Sequence, residues 1–121
     1  MRDKETGTEV DGVVRRVDLD GSYATVVLGG EVDIATVRPL REALSSCVDA
    51  GCKEIIVEMG AVTFLDSAGL ASLAQTFNAL GSGGVMTISN PSSTVRRLLD
   101  LSGMSKVLTV VPRGTLDPHA L

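Results

Sequence analysis

The spacing of apolar positions changes several times along this chain, and each change marks an element. "VDGVVRRVD" and "SYATVVLGG" are rich in β-branched residues and predict two strands. The Asp20-Gly21 pair between them predicts a hairpin turn. The period then lengthens. In "ATVRPLREALSSCVDAG", Val37, Leu40, Leu44 and Val48 recur at helical spacing and form one apolar stripe. Pro39 is tolerated in a first helical turn, where N–H groups lack intrahelical partners, and Gly51 can end the helix in a left-handed conformation. "KEIIVEMG" reads as a short strand. Leu70, Leu73, Phe77 and Leu80 line the apolar face of a second helix, which dissolves in "GSGG". "VMTIS" is the next strand. "NPSSTVRRLLDLSG" predicts a helix capped by Asn90, with Pro91 at its first position and Gly103 past its last turn. "KVLTVV" is the final strand, stopped by Pro112, and "RGTLDPHAL" leaves room for one helical turn at most.

The predicted order is β-β-α-β-α-β-α-β. Strands alternating with short helices imply crossover connections and parallel pairing, and the initial hairpin adds an antiparallel edge. The expected fold class is therefore α/β, a single domain on a mixed, mostly parallel sheet. Residues 1–9 are polar and expected to form a disordered leader, with the domain occupying 10–121. No internal repeat interrupts this plan.

Composition narrows the function classes. The 121 residues are 44% hydrophobic, enough for one core, but only 2% aromatic with no Trp. Leu, Val, Ile and Ala must build that core, and a base-stacking surface is not expected. A net charge of −4 without a basic cluster argues against binding nucleic acid through phosphates. No run approaches the roughly 20 apolar residues that span a bilayer, and the N-terminus has no signal-like apolar core. Cys47 and Cys52 do not match a zinc or thioredoxin spacing, so no metal and no cofactor is expected. Cys47 is expected to pack on the apolar side of the first helix. Cys52 has no role at this level. A cytoplasmic protein with reduced thiols fits these features, free of both membrane and nucleic acid.

Candidate chemistry concentrates where strands end, because ligands of parallel sheets gather beyond the carboxyl ends of the strands. "GGEVD" ends at Asp33, and "FLDSAG" places Asp66 and Ser67 at a strand-to-helix junction. If those strands are neighbours, Asp33 and Ser67 share a surface. Asp66 and Ser67 are also ordinary capping residues, and Asp33, just ahead of the first helix, has the same structural reading as an N-terminal cap. A serine hydrolase is disfavoured. Leu65 stands where a G-x-S-x-G elbow needs glycine, and the only histidine is His119, behind Pro118. No catalytic residue is assigned. "GSGG" follows a helix and precedes a strand, the wrong order for a phosphate loop.

Three segments, "GGEVDIATVRPLREAL", "VTFLDSAGLASL" and "NPSSTVRRLLDLSGM", resemble in order and spacing the STAS-domain anti-sigma factor antagonists of bacteria, over about residues 10–112. The resemblance implies a partner-switching regulator of transcription rather than an enzyme. In that family the serine matching Ser67 is phosphorylated by an anti-sigma factor that is itself a serine kinase using ATP and magnesium. The unphosphorylated antagonist binds that kinase and frees its sigma factor, and a phosphatase resets the cycle. The resemblance places the family's aspartate at Asp33 and leaves Asp66 as cap. The expected partner surface comprises Asp33, Asp66, Ala68, Gly69, Ala71 and Ser72, with Ala68, Ala71 and Ser72 on the exposed side of the second helix. Ala68 replaces a second hydroxyl common among relatives, and Ala71 replaces a frequent glycine. The alternative is a STAS scaffold or ligand-sensing module in a larger assembly, without a cognate kinase.

Overall fold

In the computed structural model, residues 12–112 are described, and the expected leader at 1–9 and the tail at 113–121, with His119, lie outside them. Val14–Asp20 (β1) and Tyr23–Val32 (β2) pair antiparallel, Asp20 opposite Tyr23, around a turn in which Gly21 takes a φ of 63°. Arg38–Asp49 (α1) leads to Glu54–Leu65 (β3), Ser67–Leu80 (α2) to Val85–Ser89 (β4), and Ser93–Ser102 (α3) to Thr109–Val111 (β5). A 3₁₀ turn at Met104–Lys106 takes the first residue of the expected last strand, which is correspondingly shorter. The sheet runs in chain order, β1-β2-β3-β4-β5, and every pairing after the hairpin is parallel. This is the α/β order that the periodicity predicts.

Alternation along the strands decides which face is buried. Ala24, Val26 and Leu28 of β2, Ile55, Val57 and Met59 of β3, and Met86 and Ile88 of β4 point to one side. There they join Leu40, Leu44 and Cys47 of α1, Leu73 and Leu80 of α2, and Val95 and Leu99 of α3 in a single cluster. Residues one step out of phase, Thr25, Ile56 and Thr87, form a row on the opposite face. The core is aliphatic, as the scarcity of aromatics requires. Cys47 belongs to it, and so does Cys52.

Two local features depart from the sequence pattern. The strand expected to stop at Gly60 continues to Leu65. Its register against β2 slips twice, between Val27 and Gly29 and between Gly30 and Glu31, so β3 carries extra residues. Its core-facing positions then fall at Met59, Val62 and Leu65, a spacing of three that period-two reading does not follow. The second departure is the cap of α3. Ser92, not Asn90, occupies it, and its Oγ accepts from the N–H of Val95 at 3.2 Å. Asn90 instead turns the chain with a φ of 65°, and Gly103 ends α3 at 83° as expected.

The end of α2 is satisfied from a distance. The Lys53 ammonium donates to the carbonyl of Leu80, the last residue of α2, at 2.7 Å. A cation at a helix C-terminus is favourably placed in the helix dipole. The cap assignment at α3 has a direct test. Ser92→Ala is expected to destabilise the protein by about 1 kcal/mol, the usual value of a lost N-cap, measured by denaturant unfolding.

Candidate functional site

The ends of β2 and β3 are brought together by their register. Val32 pairs with Leu65, and the N–H of Asp66 donates to the carbonyl of Val32 at 3.1 Å. Asp33 and Asp66 therefore leave adjacent strands at the same level. Ile34 and Ser67 follow one residue later.

Asp66 is the N-cap of α2. Its backbone is extended, and its Oδ1 accepts from the N–H groups of Ala68 at 2.8 Å and Gly69 at 3.3 Å. Ser67 is the first helical residue and is exposed. Among the described residues its hydroxyl makes no hydrogen bond, so the oxygen is free to meet a partner. Gly69 is buried directly below. A Cβ there would meet Leu65 Cδ1 and come within 3.1 Å of Val32 Cγ1, so any side chain at this place would require Leu65 to shift.

Asp33 does not cap α1, which corrects its structural reading. The N-cap of α1 is Val37, with no side-chain cap. Asp33 instead stabilises the loop before it. Its Oδ1 accepts from the N–H of Ala35 at 2.9 Å and of Thr36 at 3.1 Å, while its own N–H donates to Thr36 Oγ1 at 2.9 Å. The Thr36 hydroxyl donates to the carbonyl of Glu31 at 2.7 Å, tying the turn back to β2. The intervening residues hold the helix start away from Asp33. The carboxylate is thereby fixed on its own loop, just past the end of β2 that pairs with the end of β3.

The remaining expected residues divide. Ala71 is exposed and Ala68 half-buried. Ser72, expected on the exposed side of α2, is buried at 2% exposure. Its Oγ donates to the carbonyl of Ala68 at 3.1 Å, and Thr76 repeats the pattern by donating to the carbonyl of Ser72 at 2.8 Å. Each hydroxyl satisfies itself on its own helix, which permits a polar residue on the face turned toward α1. Small side chains also allow the two helices to approach.

Two residues at this edge were not singled out by the sequence pattern. Ile34 is 75% exposed and Phe64 46% exposed, although both are large and apolar. Phe64 pairs with Glu31, and both point away from the core side that Val32 and Leu65 occupy. The available signal was local. Ile34 interrupts the polar loop "EVDIAT", and Phe64 is one of only two phenylalanines. Singly, exposed apolar residues are ordinary, and these two lie at the same strand ends as Asp33 and Asp66. Among the described residues no group of three or more His, Cys, Asp or Glu side chains gathers as a metal site, and no helix is long and apolar enough to cross a membrane.

A five-stranded sheet with a hairpin edge, three helices, and an exposed serine that opens α2 directly after its Asp66 cap define an α/β domain with a polar corner at the paired ends of β2 and β3. The STAS domain family model matches residues 15–116, and the chain belongs to that family. Its relatives are regulators. The chain is 30% identical over 96 residues to the anti-sigma-F factor antagonist RsfB of Mycobacterium tuberculosis, covering 79% of each protein. It is 31% identical over 89 residues to the anti-sigma-B factor antagonist of Staphylococcus aureus, covering 73% of this chain and 82% of that protein. The crystal structure of an anti-sigma factor antagonist from Mycobacterium paratuberculosis superposes with a TM-score of 0.74 at 28% identity, over 81% of this chain and 84% of that one.

The Asp66 cap predicts its own signature. Asn caps about as well as Asp, whereas Ala does not. Asp66→Asn is expected to keep stability within about 0.5 kcal/mol, and Asp66→Ala to lose about 1 kcal/mol, in paired denaturant melts.

Proposed function

We propose that this protein is an anti-sigma factor antagonist that acts by partner switching, with Ser67 as its phosphorylated residue. The observation that carries this reading is the free, exposed hydroxyl of Ser67 at the start of α2, next to Asp66 and level with Asp33. Unmodified, the corner binds an anti-sigma factor that is also a serine kinase, and the sigma factor is released. Phosphorylation breaks the complex, and a phosphatase restores it. The protein works by binding, in the cytoplasm, with no catalytic chemistry or cofactor of its own.

Electrostatics supports the switch. A phosphoryl group adds about −1.5 to −2 charges at neutral pH. The positive end of the helix dipole favours it, so the domain stays folded. The N–H groups of Ala68 and Gly69 are already taken by Asp66, however, the residue next to the serine, and Asp33 follows the neighbouring strand at the same level. The new charge therefore remains at the surface, where a docked partner must bury it against two aspartates. A penalty of about 3 kcal/mol weakens binding by roughly 100-fold.

The contact surface is proposed to centre on Asp33, Asp66, Ala68 and Ala71, with Ile34 and Phe64 as apolar contacts. Gly69 and Ser72 support it from below. Ser67 is the sole acceptor at this corner, because Ala68 has no hydroxyl and that of Ser72 is buried.

The test uses the serine-kinase anti-sigma factors of the source organism, purified and screened for binding to the wild-type chain. With the one that binds, Ser67→Ala is expected to abolish phosphate incorporation while keeping affinity, and Ser67→Glu to weaken it by charge alone. Ile34→Asp is expected to weaken affinity tenfold or more, about 1.4 kcal/mol, without changing the melting temperature. Transfer of phosphate to the Ala variant at another residue, located by mass spectrometry, overturns the assignment of Ser67. Failure of every kinase to bind wild type overturns the function.

A further inference from the structure

The C-terminus of α1 closes in a Schellman motif. Asp49 is the last helical residue, Ala50 the cap, and Gly51 takes the left-handed φ of 93°. The N–H of Gly51 donates to the carbonyl of Val48 at 3.0 Å, and the N–H of Cys52 to the carbonyl of Cys47 at 3.1 Å. In this motif the side chains at the two ends of the wider bond commonly form an apolar contact that seals the helix end. Here the residues in those places are Cys47 and Cys52, the two cysteines of the chain. Both are free, at 1% and 3% exposure.

We propose that Cys47 and Cys52 are a modification site, a dithiol that a peroxide converts to an intramolecular disulfide fastening the end of α1 to the approach to β3. A disulfide needs closely spaced Cα atoms, and a backbone hydrogen bond made directly between the two residues supplies that closeness. The sulfurs also sense each other. The Cys47 thiol is pushed up to about 11, by burial first and by the neighbouring Cys52 second, and burial raises Cys52 as well. The closed cap thus keeps both thiols protonated and slow to react. Ala50, Gly51 and Lys53 are exposed, so opening this single turn is enough to uncover Cys52.

The chemistry then balances in two steps. The Cys52 thiolate attacks one oxygen of hydrogen peroxide. The S–O bond forms, the O–O bond breaks, and the departing hydroxide takes a proton to become water. Cys47 loses its proton, and its sulfur attacks the sulfenic sulfur of Cys52. The S–S bond forms, the S–O bond breaks, and a second water leaves. Both cysteines are oxidised and the peroxide is reduced. A cross-link closing this short loop restricts the unfolded chain and so raises the melting temperature.

The full-length chain, freshly reduced, is incubated with hydrogen peroxide under native conditions, then alkylated in denaturant and cleaved with trypsin. Cleavage after Arg41 and Lys53 places both cysteines in one peptide, residues 42–53. The expected product is that peptide unalkylated and lighter by one hydrogen pair, from a monomer whose melting temperature has risen and falls back on adding dithiothreitol. Cys47→Ala and Cys52→Ala, each apolar and small, are expected to keep the fold and lose both effects. Full alkylation of both cysteines under peroxide that oxidises the denatured chain overturns the proposal. So does accumulation of sulfinic or sulfonic acid on one cysteine, or cross-linking only between molecules.

Discussion

The parallel pairing of β2 with β3 is the interaction on which the rest of the structure depends. Both strands are long, ten and twelve residues, and their core-facing side chains Val26 and Val57 are fully buried as partners. Their shared register delivers Val32 and Leu65 to the same level, and the Asp66-to-Val32 hydrogen bond closes the last rung. A one-residue slip in that register would turn the core-facing set outward, so burial holds the level of the two strand ends firmly. Everything polar at the corner inherits its position from this pairing. Asp33 and Asp66 stand side by side because they are the first residues past it.

That corner is built so that its two carboxylates serve the backbone first. Each accepts N–H groups from its own loop or helix, which orients it without any cation among the described ion pairs. Neither carboxylate can rotate away without giving up these hydrogen bonds. The hydroxyl of Ser67, next to Asp66, makes no hydrogen bond among the described residues. α2 carries no ionisable residue, and its first turn is held by Asp66 and by the glycine contact with Leu65 and Val32.

The far end of the sheet obeys a different logic. There the chain returns from α1 into β3 through a glycine-closed turn with Cys47 and Cys52 buried at its two ends, and Lys53, next in line, reaches across to the last carbonyl of α2. These contacts join α1, β3 and α2 at the end opposite Ser67.

Local chemistry carried much of this in the sequence. The Asp20-Gly21 turn, the stripe from Val37 to Leu44, the cap at Asp66 and the stop at Gly103 each depend on residues a few places apart, and each stands where the pattern put it. The element order followed from the same signals. What depended on distant partners did not follow. The reach of β3 to Leu65 requires bulges that exist only against β2. Ser72 is buried because α1 lies over it, although its hydroxyl reads as exposed in isolation. Asp33 and Asn90 carry capping side chains but fall outside their helices, since the sheet decides where each helix can begin. Ile34 and Phe64 look like core residues until the packing excludes them. Sequence determined which segments are strands and helices, because those choices rest on short-range periodicity and hydrogen bonding. Tertiary structure decided which residues meet at the serine, because only the pairing of β2 with β3 brings their ends together.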